Sequence, residues 1–159
     1  MGGDGMEVNV GISEQNRQVI AEGLATFLAN TYAVYLKTQN FHWNLTGVEF
    51  YPMHILFEKQ YEDLAAAVDE IAERIRALGY YVDGTFGGLN KLKTVKDEDK
   101  VLSIKDMLHR LVESHETLIR HARKLGEVAD AQGDFAAVDM LGRRLGAHEK
   151  MVWMLRSSL

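Results

Sequence analysis

Cysteine is absent from the 159 residues. Disulfide frameworks, thiolate zinc sites and catalytic thiols are excluded, so any metal chemistry must rest on histidine and carboxylate. Proline occurs once and tryptophan twice, so little interrupts a helical chain. No stretch approaches the ~20 uninterrupted apolar residues of a membrane span, and no apolar signal segment opens the sequence. A cytoplasmic protein with no membrane partner is the expectation. Basic charge is also short: 18 Lys and Arg against 23 Asp and Glu leave a net charge of −5, which argues against a surface organised for the phosphate backbone. The length and the 47% apolar content suit one compact domain with a proper core and exclude a disordered tail.

The opening Met1-Gly2-Gly3-Asp4-Gly5 has no periodicity and precedes a second methionine, Met6. Residues 1–5 read as an extraneous leader and 1–12 as a flexible segment, ahead of one domain over 13–157. From Ser13 to about Phe41, Ile20, Leu24, Phe27, Leu28, Tyr35 and Leu36 follow an amphipathic helical period. After a turn through Asn44 and Gly47, a second helix runs from near Pro52 to Gly79, with proline in the first turn and glycine at the stop. Its seam is Phe57, Tyr61, Leu64, Val68, Ile71, Ile75 and Leu78, spaced by alternating fours and threes. The stretch from Tyr80 to about Leu102 extends ~75 Å, enough to run back along a ~42 Å helix. A third helix starts at Ser103, with Asp106 as capping pair, and ends near Ala131 before Gln132-Gly133. The fourth runs from an Asp134 N-cap to Arg156. Four helices with one long crossover, which has room for a short helix of its own, predict an all-α, ferritin-like four-helix bundle.

Six histidines are present, and the two earliest stand out. His42 ends the first helix and His54 begins the second, so a short turn brings both imidazoles close. Glu58 follows His54 by one helical turn, and Asp69 and Glu73 form a second one-turn pair. These positions share a stripe about 100° wide, centred roughly 120° from the seam of Phe57, Leu64 and Ile71. They face something other than the chain's own core. Glu58 and Asp69 are eleven residues apart, ~16 Å along a helix, whereas ligands of one metal each lie ~2.0–2.2 Å from it. One chain therefore cannot close the site. Antiparallel packing of two copies of this helix across a two-fold axis lets His54 and Glu58 of one meet Asp69 and Glu73 of the other. Ala65, Ala66 and Ala72 would let the backbones approach. The plainer account is a solvated face with intrahelical pairs such as Glu70 with Arg74 or Glu73 with Arg76. Two histidines and three carboxylates on one outward stripe nonetheless make a mixed N/O set suited to divalent iron, manganese or zinc.

The run Thr38-Gln39-Asn40-Phe41-His42-Trp43-Asn44-Leu45-Thr46-Gly47, then Phe50, His54, Phe57, Glu58, Tyr61, Asp69 and Ile71-Ala72-Glu73-Arg74-Ile75, closely resembles Dps-family miniferritins. The tail Lys150-Met151-Val152-Trp153-Met154-Leu155 belongs to the same pattern. The resemblance implies a hollow dodecamer with ferroxidase centres shared by two subunits. His42, His54 and Glu58 would come from one subunit, Asp69 and Glu73 from its mate. It further implies that Fe(II) is oxidised, preferentially by hydrogen peroxide, that ferric oxide collects in the cavity, and that no organic cofactor takes part. Some members carry aspartate where Glu58 stands, which bears on whether that carboxylate binds metal directly. Trp43 would be a nearby electron donor, or else packs the helical corner.

Family pores at one set of three-fold axes are lined by aspartates near the start of the last helix, which makes Asp130, Asp134 and Asp139 the candidates. Phe135 stands beside Asp134 where some relatives carry another acid. A DNA-compacting role is the alternative function, since relatives grip DNA through lysine-rich tails. Here the first basic residue is Arg17, and Asp97-Glu98-Asp99 interrupt Lys91, Lys93, Lys96 and Lys100. Weak duplex binding is the expectation. A conventional di-iron site inside each bundle would use inward Glu-x-x-His motifs, which the chain lacks. His109, His115 and His121 are expected on the surface or lining a cavity.

Overall fold

A computed structural model describes residues 7–159; the leader expected over residues 1–5 lies outside the described residues. The chain is all-helical: α1 Glu14–Asn44, α2 Phe50–Ala77, α3 Phe86–Leu92, α4 Ile104–Ala131 and α5 Phe135–Arg156. The caps account for most boundaries. Ser13 accepts from the Asn16 N–H and Ser103 from the Asp106 N–H, while Asp134 accepts from the Ala137 N–H at 2.9 Å. Each satisfies an N–H that the first turn leaves without a carbonyl. Gly79 ends α2 at φ 91°, and Tyr80 N reaches back to Ile75 O while Gly79 N reaches Arg76 O, the paired closure of a left-handed helix stop. α1 runs three residues beyond the expected Phe41, because the Asn44 amide bonds back to Asn40. His42 is thereby held on helical backbone.

Cross-helix pairs fix the directions. His42 faces His54 and Tyr35 faces Tyr61, so α2 is antiparallel to α1. Arg74 pairs with Asp134, Arg143 with Glu70 and Arg144 with Asp63, so α5 is antiparallel to α2. α3 interrupts the long crossover, capped by Thr85, and the buried Asn30 of α1 pins the segment beyond it. Asn30 Oδ1 accepts from the Thr94 and Val95 N–H groups at 2.7 and 3.0 Å. By length and composition α1 could span a membrane, a property that a search for uninterrupted apolar runs does not register; 56% of its most apolar window is buried within the bundle.

The core is two apolar clusters. One includes Leu24, Phe27, Leu64, Ile71, Leu118 and Leu141; the other includes Phe41, Phe57, Leu111, Val152 and Leu155. Between them lies a buried polar layer of Thr38, Gln60, Ser114, His115, Arg144 and His148. The expectation that His115 lies on the surface or lines a cavity is therefore corrected: it is 0% exposed. Its neighbours at positions 111, 114 and 118 are equally buried, and one helical face carries them all.

Candidate metal centre

The corner between α1 and α2 sets the centre. Gly47 turns the chain at φ 112°, which favours glycine because a Cβ crowds the backbone there. Five residues, 45–49, join the helices, so the end of α1 and the start of α2 lie side by side. His42 and His54 then bond reciprocally: each Nδ1 meets the other residue's backbone carbonyl, at 2.9 and 3.2 Å. A carbonyl only accepts, so each Nδ1 carries a proton, and in the neutral ring the lone pair is on Nε2. The rings stack with centroids 3.7 Å apart and planes 18° from parallel. Two imidazoles are thus fixed in the tautomer that binds metal, each oriented by a carbonyl behind it, the usual support of a metal-bound histidine. Tyr61 contacts the His42 ring edge-on at 5.1 Å, and Phe50 covers His54 at 5.0 Å.

The carboxylates lie where the stripe places them. Glu58 is half-buried one turn after His54, and Asp69 and Glu73 are exposed, as are Glu62, Ala65 and Ala66. The seam residues Phe57, Leu64 and Ile71 are fully buried. Because α2 is a single continuous helix, Glu58 and Asp69 remain ~16 Å apart. Among the described residues, no group of three or more His, Asp or Glu converges to hold a metal within one chain. The structure joins His42 to His54 and leaves Asp69 and Glu73 at a distance. The plainer pairing of Glu70 with Arg74 is not formed; Glu70 binds Arg143 at 2.5 Å and Arg74 binds Asp134.

Trp43 is 62% exposed and lines a groove with Ala33, Leu36, Lys37 and Asn40. It does not pack the corner. Asp130 and Asp139 are exposed at the α4–α5 turn, Asp139 bonded to Arg143 at 3.1 Å. Asp134 is 1% exposed, its Oδ1 shared between Arg74 and the Ala137 N–H; it acts as an N-cap.

The bundle interior brings together a pair that sequence reasoning missed. His115 and His148 Nδ1 atoms lie 2.9 Å apart, and both Nε2 atoms are buried without a partner among the described residues. Burial lowers the His115 pKa to about 3, and the Arg144 cation adds to the effect while Asp63 opposes it. His148 is pushed well below the usual histidine range by burial, then by His115 and Arg144. The period of α4 and α5 places both positions on core faces, which is the signal that could have found them. The nearby Asp63 is bonded to Arg144 at 2.6 Å, and among the described residues no third His, Asp or Glu joins the pair to hold a metal.

A helical bundle with one long crossover has the ferritin-like architecture, and residues 21–159 match the ferritin-like domain family. A DNA protection during starvation protein of Porphyromonas gingivalis is 35% identical over 91% of this chain and 91% of its own length. An uncharacterised low temperature-induced protein of Nostoc is 37% identical over 94% of this chain and 85% of its own. The crystal structure of a Dps protein from Vibrio cholerae O1, described as a ferritin-like diiron-carboxylate protein, superposes with a TM-score of 0.91 at 31% identity, covering 97% of this chain and 98% of that one. The chain belongs to the Dps family.

Proposed function

We propose that the protein, in the cytoplasm, oxidises Fe(II) at centres shared between two subunits, preferentially with hydrogen peroxide, and stores ferric oxide inside a hollow dodecamer. The reading is carried by the stacked His42–His54 pair, whose Nε2 lone pairs are set by reciprocal carbonyl bonds. His42, His54 and Glu58 of one subunit would face Asp69 and Glu73 of a second copy, giving two equivalent centres about 22 Å apart along the antiparallel α2 helices. Imidazole holds Fe(II), hard carboxylates favour and bridge Fe(III), and open coordination positions admit the oxidant. Exposed Asp130 and Asp139, in three copies each, form a negative entry funnel that concentrates cations, with Asp134 shaping it as the α5 N-cap. Duplex DNA is a minor partner, because Lys93 is paired with Asp97 and Arg110 with Glu98 around the crossover.

Asp69→Ala with Glu73→Ala should abolish rapid peroxide-dependent Fe(II) oxidation while native mass spectrometry still shows the assembly. Reassembly with a His42→Ala/His54→Ala protein should restore part of the rate, because some hybrid interfaces regain a complete centre. A normal rate in the carboxylate variant would overturn the assignment.

A further inference from the structure

Lys37 of α1 is a half-buried amine that the iron chemistry does not use. Its Nζ donates to Ser114 Oγ at 2.9 Å, and the Ser114 hydroxyl donates in turn to the Arg110 carbonyl at 2.7 Å. With its hydrogen committed, the Ser114 oxygen only accepts from Nζ, so it fixes one N–H and leaves the lone pair of the neutral amine free. The acids of the adjoining crossover are engaged elsewhere: Asp97 pairs with Lys93 at 2.8 Å and Glu98 with Arg110 at 3.4 Å. Among the described residues no carboxylate lies within ion-pairing distance of Lys37. Burial lowers its pKa below the usual lysine value; Glu98 and Asp97 oppose this, Arg110 adds to it and Glu113 opposes it. A desolvated lysine of this kind is a nucleophile. Two grooves meet at the amine. One, of about 290 Å³, has Ala33, Leu36 and Trp43 as its apolar wall; the other, of about 440 Å³, is lined by polar groups such as Thr94 and Thr117. Asp97 and Glu98 line both, so an anionic ligand is repelled there while positive charge on Nζ is favoured.

We propose that Lys37 is a Schiff-base site for small neutral aldehydes with an apolar body, which lies on Leu36 and Trp43 while the carbonyl meets Nζ. The ammonium first gives a proton to solvent. The neutral amine then attacks the carbonyl carbon, a C–N bond forms, and one nitrogen-bound proton moves to the former carbonyl oxygen to give a carbinolamine. Solvent protonates that hydroxyl, water leaves with the C–O electron pair, and the nitrogen lone pair closes the C=N bond. The net change is one ammonium and one aldehyde to one iminium and one water, with no oxidant or reductant. The iminium keeps the positive charge of the ammonium, which Glu98 and Asp97 favour. Attack by water on the iminium carbon reverses the sequence and restores the lysine.

The test treats the assembled protein at neutral pH with benzaldehyde and sodium cyanoborohydride, which reduces the iminium to a stable benzylamine, and maps the adducts by peptide mass spectrometry. Lys37 should be labelled at least about tenfold faster than the exposed Lys59, Lys105 and Lys150, the gain from holding amine and carbonyl together. Lys37→Arg, which keeps the charge and most of the stem, should remove that adduct and leave the other three rates unchanged. Leu36→Glu, at a position 45% exposed, charges the apolar wall and should bring Lys37 down toward the rate of the surface lysines. The same loss of preference should follow in wild-type protein when para-carboxybenzaldehyde replaces benzaldehyde, a comparison that needs no variant to fold. Labelling of Lys37 at the surface rate overturns the site. Fast labelling that is equal for the charged and uncharged aldehydes overturns the proposal as well, because the groove then plays no part in selecting the ligand.

Discussion

Acidification from pH 7 to pH 5 should weaken the bundle chiefly through His115 and His148. Both are fully buried with Nδ1 atoms 2.9 Å apart, and both hold pKa values far below the usual histidine value of 6.5, about 3 for His115. In the unfolded chain each imidazole takes up a proton below ~6.5, whereas the folded pair does not until far lower pH. The unfolded state therefore binds more protons, and stability falls as pH drops through 6.5 toward the folded values. At pH 5 the unfolded pKa lies ~1.5 units above the solution pH, a cost of about 2 kcal/mol per imidazole and ~4 kcal/mol for the pair. Guanidinium unfolding of metal-free protein at fixed concentration, in wild type and in His115→Leu/His148→Leu, isolates this contribution because other titrating groups are common to both. The double variant should lose most of the midpoint shift between pH 7 and pH 5. An equal shift in both proteins would show that the pair does not carry the acid sensitivity, and the buried neutral assignment would fall.

Asn30→Ala removes the acceptor of the Thr94 and Val95 N–H groups and the Thr94 hydroxyl partner. A loss of about 2–3 kcal/mol is expected, with faster amide exchange at Thr94 and Val95 as the local readout; unchanged protection there would contradict the anchoring role. Gly79→Ala places a Cβ 2.8 Å from Val8 Cγ2 on a backbone at φ 91°. It should lower stability by at least about 1 kcal/mol, whereas Gly142→Ala, with open space around the added atom, should be neutral or stabilising by thermal melting.

The four long helices and the face that α2 buries were legible in the sequence, because apolar spacing, Ser103, Asp134, Gly79 and Gly133 act within a few residues of where they stand. The outward direction of Asp69 and Glu73 was legible for the same reason: a helix fixes the angle between positions on its own surface. Tertiary structure alone decided what meets across helices. The reciprocal carbonyl bonds of His42 and His54, the exchange of Glu70 and Arg74 from each other to Arg143 and Asp134, the Asn30 anchor and the buried His115–His148 pair all join residues far apart in the chain. Such contacts depend on helix register and depth of burial, and those are set by how whole apolar faces pack together, a cooperative outcome that no local spacing encodes.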